Sequence, residues 1–339
     1  MQRRPLALTV YLGFVLILGS VPALAQYQLT NLVSNQVGAA KHTDPLIVNA
    51  WGLAYGPGSP FWIADNGSGW STLYDGVGKA KSLKVLIPSV GNGPGSPTGI
   101  VFNGSSDFQI QGWSTFFLFA TLDGTISGWA PQADPNQAHI QVNNSAAGAV
   151  YTGLAISSKA SGNRLFAADV VNNKVDIYDG TFTFVKSFTD TTLPAGFTPF
   201  GIQDINGVVY VAFASSTGGG GGFIDTFDEN GTLLKRLIQG GRLDQPWGIT
   251  IAPANFGPLS NTLLVSNNTN QGMINAYNPL TGQFVGTVKD TNGKPIVIDQ
   301  LWGIEFGGGT ANDGRKNQLF FTAGPSNNLA GTFGVIALK

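Results

Sequence analysis

The sequence predicts an all-β protein: a six-bladed β-propeller built of four-stranded antiparallel blades. Three observations predict it. An aromatic residue or Thr followed by Gly and then Leu or Ile occurs six times: Trp51-Gly52-Leu53, Thr98-Gly99-Ile100, Thr152-Gly153-Leu154, Phe200-Gly201-Ile202, Trp247-Gly248-Ile249 and Trp302-Gly303-Ile304. The glycines lie 47, 54, 48, 47 and 55 residues apart, a period near fifty with no helical patterning between them. A second column runs in phase with the first. It comprises Trp62–Asp65, Leu118–Thr121, Phe166–Asp169, Tyr210–Phe213, Leu264–Asn267 and Phe320–Ala323, and its third residue is always Ala, Ser or Thr. A small side chain there suits sheets that converge on an axis. The third observation is turn chemistry after a third strand, as in Tyr74-Asp75-Gly76, Tyr178-Asp179-Gly180 and Tyr277-Asn278-Pro279.

The elements follow in chain order. Residues 1–25 read as a secretory signal peptide. Arg3 and Arg4 precede the apolar run Leu6–Leu18, and Ala23-Leu24-Ala25 is a small-x-small cleavage site. The run is short for a bilayer span, so no membrane span is expected after cleavage. Residues 26–339 form one propeller domain of 314 residues, about 52 per repeat. Each signature opens the innermost strand of a blade, and the second column returns antiparallel to it. Outer strands follow, for example Ser82–Ile87, Phe184–Phe188, Leu233–Ile238 and Phe284–Val288. The sixth repeat ends at Phe333–Leu338 without an outer strand, whereas Gln28–Val33 is a spare strand near the other end of the chain. That strand is expected to complete the last blade and remove the open edges of the ring. A linear solenoid is the competing fold, but it would need capping repeats, and none is evident.

Composition narrows the function classes. Without Arg3 and Arg4 the chain carries 16 basic and 19 acidic residues, a net charge of −3, and shows no basic aromatic stripe. Nucleic acid is therefore not an expected partner. Cysteine is absent, so the core must hold without disulfides. With no Cys and only His42 and His139, both placed in loops, neither a zinc site nor a Ser-His-Asp triad is expected. The run Gly218–Gly222 lacks a following Lys-Ser/Thr and reads as a loop between the second and third strands of blade four. Ser105–Gln111 reads as a structural excursion in blade two.

The inner-strand signature and the strand after it resemble NHL-type six-bladed propellers. The segment His42-Thr43-Asp44-Pro45-Leu46-Ile47-Val48-Asn49-Ala50-Trp51-Gly52-Leu53 resembles the opening of a family of exported bacterial proteins of unknown function. Some members of that family carry a PEP-CTERM sorting tail. The chain ends at Lys339 without a Pro-Glu-Pro motif, which departs from those members. The resemblance implies a propeller fold and a secreted, periplasmic or extracellular location. It supplies no catalytic residues.

Candidate site residues follow from topology. Inner-strand starts and second-strand ends share one rim of the ring. Trp51, Thr98, Thr152, Phe200, Trp247 and Trp302 therefore form a candidate ligand-binding ring, and three of the chain's seven tryptophans fall in it. Exposed indoles could stack a small molecule, glycan or peptide; buried ones would plug the channel. Asp65, Asp169 and Asn267 end the second strands of alternate blades, where converging oxygens could hold calcium (Ca2+). Alternatively, each accepts backbone N–H groups of its own turn. No cofactor is required by any motif. The functional expectation is an exported, monomeric binding module acting through the aromatic rim. The alternatives are a metal-assisted hydrolase or lyase of the lactonase-like type and a structural envelope or matrix protein.

Overall fold

Strand propensity and turn chemistry together build six four-stranded antiparallel sheets arranged around an axis. The computed structural model describes residues 26–91, 93–159 and 162–339. The expected signal peptide lies outside them. Blade one comprises Ala50–Ala54, Phe61–Asp65, Trp70–Tyr74 and Ala80–Leu86, from the axis outward. Blades two to five repeat this order. Their inner strands are Pro97–Phe102, Tyr151–Lys159, Phe197–Ile205 and Pro246–Ile251. Blade six takes Leu301–Phe306, Leu319–Ala323 and Thr332–Leu338 from the end of the chain.

Its fourth strand is Tyr27–Ser34, antiparallel to Thr332–Leu338, with Tyr27 opposite Leu338 and Ser34 opposite Thr332. The expected closure is therefore present. His42–Thr43 adds a short parallel pairing outside it. Closure leaves no blade short of an outer strand, which is how a ring manages its sheet edges.

Second strands are mostly apolar because both faces of a central strand are covered, with polar residues such as Asp65, Thr121 and Asn267 at their ends. Phe61–Asp65, Phe117–Thr121, Leu263–Asn267 and Leu319–Ala323 are buried at every position. The side chains alternate between the two neighbouring blades, and the core divides accordingly. Leu53, Phe61, Ile63 and Tyr74 of blade one pack on Phe320, Phe333 and Val335 of blade six. Trp62, Ala64, Leu73 and Val85 face the other way, onto Ile100, Phe117, Phe119 and Trp129 of blade two. The four remaining clusters fill the other four interfaces.

One sequence placement changes. His42 and His139 lie in strands, not loops: His139 opens the outer strand of blade two, His139–Asn143. The Ser105–Gln111 excursion is a clasp. Phe108 is fully buried, its N–H bonds to Gly180 O of blade three at 2.6 Å, and Asn163 Nδ2 donates to Asp107 Oδ2 at 2.6 Å.

Candidate functional site

A β-bulge marks the inner strand of every blade at its signature. The register slips between Ala50 and Leu53, opposite Phe119–Thr121 in blade two, and at the matching place in blades three to six. A bulge re-aims one side chain and frees backbone groups from the ladder. Glycine follows at the point of closest approach between blades. A Cβ on Gly201 would collide with the Trp247 carbonyl, and one on Gly52 with the Thr98 carbonyl. None of the six signature glycines needs a positive φ; the requirement is space.

The freed carbonyls are taken up by hydroxyls in two ways. In blades two and three the signature Thr donates across to the next blade, Thr98 Oγ1 to Tyr151 O at 2.7 Å and Thr152 Oγ1 to Phe200 O at 2.9 Å. In blades five and six the small residue of the second strand does so. Ser266 Oγ donates to Trp302 O at 2.6 Å, and Thr322 Oγ1 donates to Trp51 O. The six predicted rim residues are thus placed together at one end of the axis. Thr98 and Thr152 are buried as blade-to-blade links.

The four aromatic members pack on one another. Trp51 and Trp302 stack with centroids 3.6 Å apart at 19°; Trp247 meets Trp302 edge-on at 6.0 Å, and Phe200 lies 5.7 Å from Trp302. Two indole N–H groups hold the arrangement: Trp247 Nε1 to Thr152 O across the axis and Trp302 Nε1 to Asn49 Oδ1, both at 3.0 Å. Trp51 and Trp302 are buried, while Trp247 and Phe200 stay half-buried. This end of the channel is filled by aromatic rings.

Below the rings the channel narrows to a cavity of about 30 Å³ between the glycines and the Leu and Ile side chains that follow them. It then widens at the opposite end to a cavity of about 280 Å³. Leu53, Tyr55, Phe102 and Ile156 line this mouth, with Gln203 and Glu305 as its polar groups. The residue two after each signature glycine sets what a blade presents at this level: Ala54, Val101 and Ala155 from blades one to three, Gln203 and Glu305 from blades four and six, while Thr250 of blade five is buried outside the lining. One half of the ring is apolar at this level and the other polar.

Glu305 is one of two glutamates in the chain. Its Oε1 accepts the Phe306 N–H at 3.1 Å, and no ion pair among the described residues involves it. Burial pushes its carboxyl up to about 7. Burial likewise raises the Tyr55 hydroxyl, and the charges of Glu305 and Asp313 add to that rise. Sequence reasoning missed this mouth. A Glu two residues after a signature Gly was the available signal.

The residues named as metal ligands make local hydrogen bonds, while Asp65 Oδ1 and Asn267 Oδ1 are buried without a hydrogen-bond partner. Asp65 Oδ2 accepts Thr72 N–H at 3.0 Å and Thr72 Oγ1–H at 2.7 Å. Asp169 accepts Val150 N–H at 3.1 Å and Asn172 Nδ2–H at 2.7 Å. Asn267 Nδ2 donates to Arg242 O at 2.7 Å. A further perturbed carboxyl, Asp225 in blade four, is raised to about 7 by burial and by Asp190; it is fully buried beside Arg236 and lines no part of the mouth.

Fold and site together define a six-bladed propeller whose axial channel is blocked at one end and open at the other. No family model matches the chain. The uncharacterized protein R648 of Acanthamoeba polyphaga mimivirus is 31% identical over 335 residues, covering 93% of this chain and 81% of that protein. The chain belongs to that protein's family. A second mimivirus protein, uncharacterized protein L690, is 29% identical over 312 residues, covering 86% of this chain and 82% of its own. Neither name states a function.

Among solved structures, a gluconolactonase from Xanthomonas campestris superimposes with a TM-score of 0.58 at 12% identity, covering 87% of this chain and 88% of its own. Virginiamycin B lyase from Staphylococcus aureus gives 0.52 at 14% identity, covering 93% and 99%. At such identities the likeness concerns the fold.

Proposed function

We propose that the protein is a small-molecule-binding propeller whose ligand enters the channel mouth beside Glu305 and stops against the narrow waist. The carrying observation is the blind channel: aromatic rings fill one end, and a cavity of about 280 Å³ opens at the other. That volume is near the lower bound of ordinary ligand pockets, and the mouth combines apolar side chains with the polar groups of Tyr55, Gln203 and Glu305. The leader-like residues 1–25 support an exported location for this binding. Mass spectrometry of protein from an exporting host tests that part, with a mature N-terminus at Gln26 expected.

The binding reading is tested by filling the mouth. Ala54→Trp places an indole among the lining residues, and ligand-observed NMR against a fragment library should lose the hits seen with the unaltered protein. Hits that survive Ala54→Trp but vanish with Trp247→Ala would move the site to the other end. That second reading, a glycan or peptide stacked on the aromatic end, has the half-exposure of Trp247 and Phe200 in its favour.

A further inference from the structure

Resting on the channel-mouth reading, we infer that the mouth is selective for small organic cations: molecules with a protonated amine held by Glu305 and an apolar body against Tyr55 and Phe102. The Glu305 carboxylate is half-buried beside Leu53, Phe102 and Ile156 and has lost part of its hydration. The mouth offers nothing in return. Its lining contains no Lys, Arg or His, and among the described residues the only hydrogen bond to the Glu305 carboxylate comes from the Phe306 N–H. A positive ligand supplies the missing partner, and a carboxylate that has no competing protein cation binds it without first breaking an ion pair.

The rest of the wall specifies what kind of cation. Tyr55 and Phe102 present aromatic rings to the same cavity, and ring faces attract ammonium groups while covering aliphatic or aromatic carbon. A bare calcium or magnesium ion asks for about six oxygen ligands. The mouth's side chains supply carboxylate oxygen from Glu305, amide oxygen from Gln203 and the phenol oxygen of Tyr55. The asymmetry around the ring orients the ligand. Its charged end belongs beside blades four and six, which carry Gln203 and Glu305, and its apolar end beside blades one to three. Occupation by a cation also favours the ionised carboxylate, so binding and deprotonation of Glu305 reinforce each other.

Benzylamine, benzyl alcohol and benzoate share one skeleton and differ in charge, so they separate the possibilities. Affinities are measured by ligand-observed NMR on the full chain at about pH 8 and about pH 5.5, with the unaltered protein and with Glu305→Gln. At the higher pH benzylamine is expected to bind about tenfold tighter than benzyl alcohol, with benzoate weakest. The preference should fall below about threefold at the lower pH and in Glu305→Gln. The pH arm reads the same carboxyl without any substitution, so a Glu305→Gln protein that fails to fold leaves the test intact. Benzyl alcohol or benzoate binding as tightly as benzylamine overturns the cation inference and leaves the pocket standing. Displacement of benzylamine by millimolar calcium chloride assigns the charge site to a metal ion and overturns the organic ligand. No saturable binding of any of the three up to about 10 mM overturns the pocket reading itself.

Discussion

The two ends of the channel use the same six inner strands to opposite effect. At the signature end a bulge in each blade turns large rings and hydroxyls toward the axis, and the polar groups found there bond mainly to neighbouring blades: Thr98 to Tyr151 O, Trp302 to Asn49, Trp247 to Thr152 O. Three residues further along the same strands, Glu305 stands beside a cavity with a single backbone bond. One end is packed to close the ring, with Trp51 Nε1 buried there without a partner; the other leaves a half-buried carboxylate without a cation. The difference teaches where to look for function in a repeat protein. The conspicuous signature here carries blade-to-blade bonds, and the proposed ligand site sits at the position where the repeats disagree.

The comparison can be broken first at the ring itself, on which both ends depend. Deleting Tyr27–Ser34 strips the outer strand from blade six, together with its antiparallel pairing to Thr332–Leu338. The melting temperature should fall by about 10 °C or more. A melting curve that does not move would contradict closure.

Next in size is the closed end. Trp302→Ala removes the stacked partner of Trp51 and the bond to Asn49, and should cost about 4 kcal/mol in denaturant unfolding. Trp247→Ala, at a half-buried ring, should cost about half as much. Equal costs would mean that the aromatic end is not graded as described. Gly201→Ala, which drives a methyl into the Trp247 carbonyl, is expected to cost about 3 kcal/mol in the same measurement.

The effect at the mouth is no larger than that of Trp247→Ala, and its sign is opposite. Glu305 has a folded-state pKa raised from the ordinary 4.5 to about 7. Its burial therefore costs nothing well below the ordinary value, and the cost grows as pH rises from there through about 7. Glu305→Gln should stabilise the unliganded protein by about 2 kcal/mol at about pH 8 and change little at about pH 4. A destabilised variant at high pH would show that the carboxylate has a protein partner after all.

Much of the fold was legible in the sequence because close approach leaves a strict residue requirement. Gly201 and Gly52 face a neighbour's carbonyl, and Ala64, Ala168 and Ala212 sit fully buried where sheets converge, so each blade repeats the demand. The spare strand Tyr27–Ser34 could be placed because the last repeat lacked one. The role of the rim residues was half legible. Topology gathers Trp51, Trp247 and Trp302 at one end, but whether rings meet each other or solvent depends on the channel's width, which no motif records. The spacing of Asp65 and Asp169 carries no record of their local bonds to Thr72, Val150 and Asn172, which only the folded turns display. The mouth was overlooked for a physical reason. A residue that serves one blade only, such as Glu305, breaks the periodicity by which repeats are recognised.

The most direct measurement is a crystal structure of the protein soaked with benzylamine. The account predicts density in the mouth, with the amine within hydrogen-bonding reach of Glu305 and the ring against Phe102 or Tyr55, and no change among Trp51, Trp247 and Trp302. Density over Trp247 and Phe200 instead, with the mouth unchanged, would contradict it.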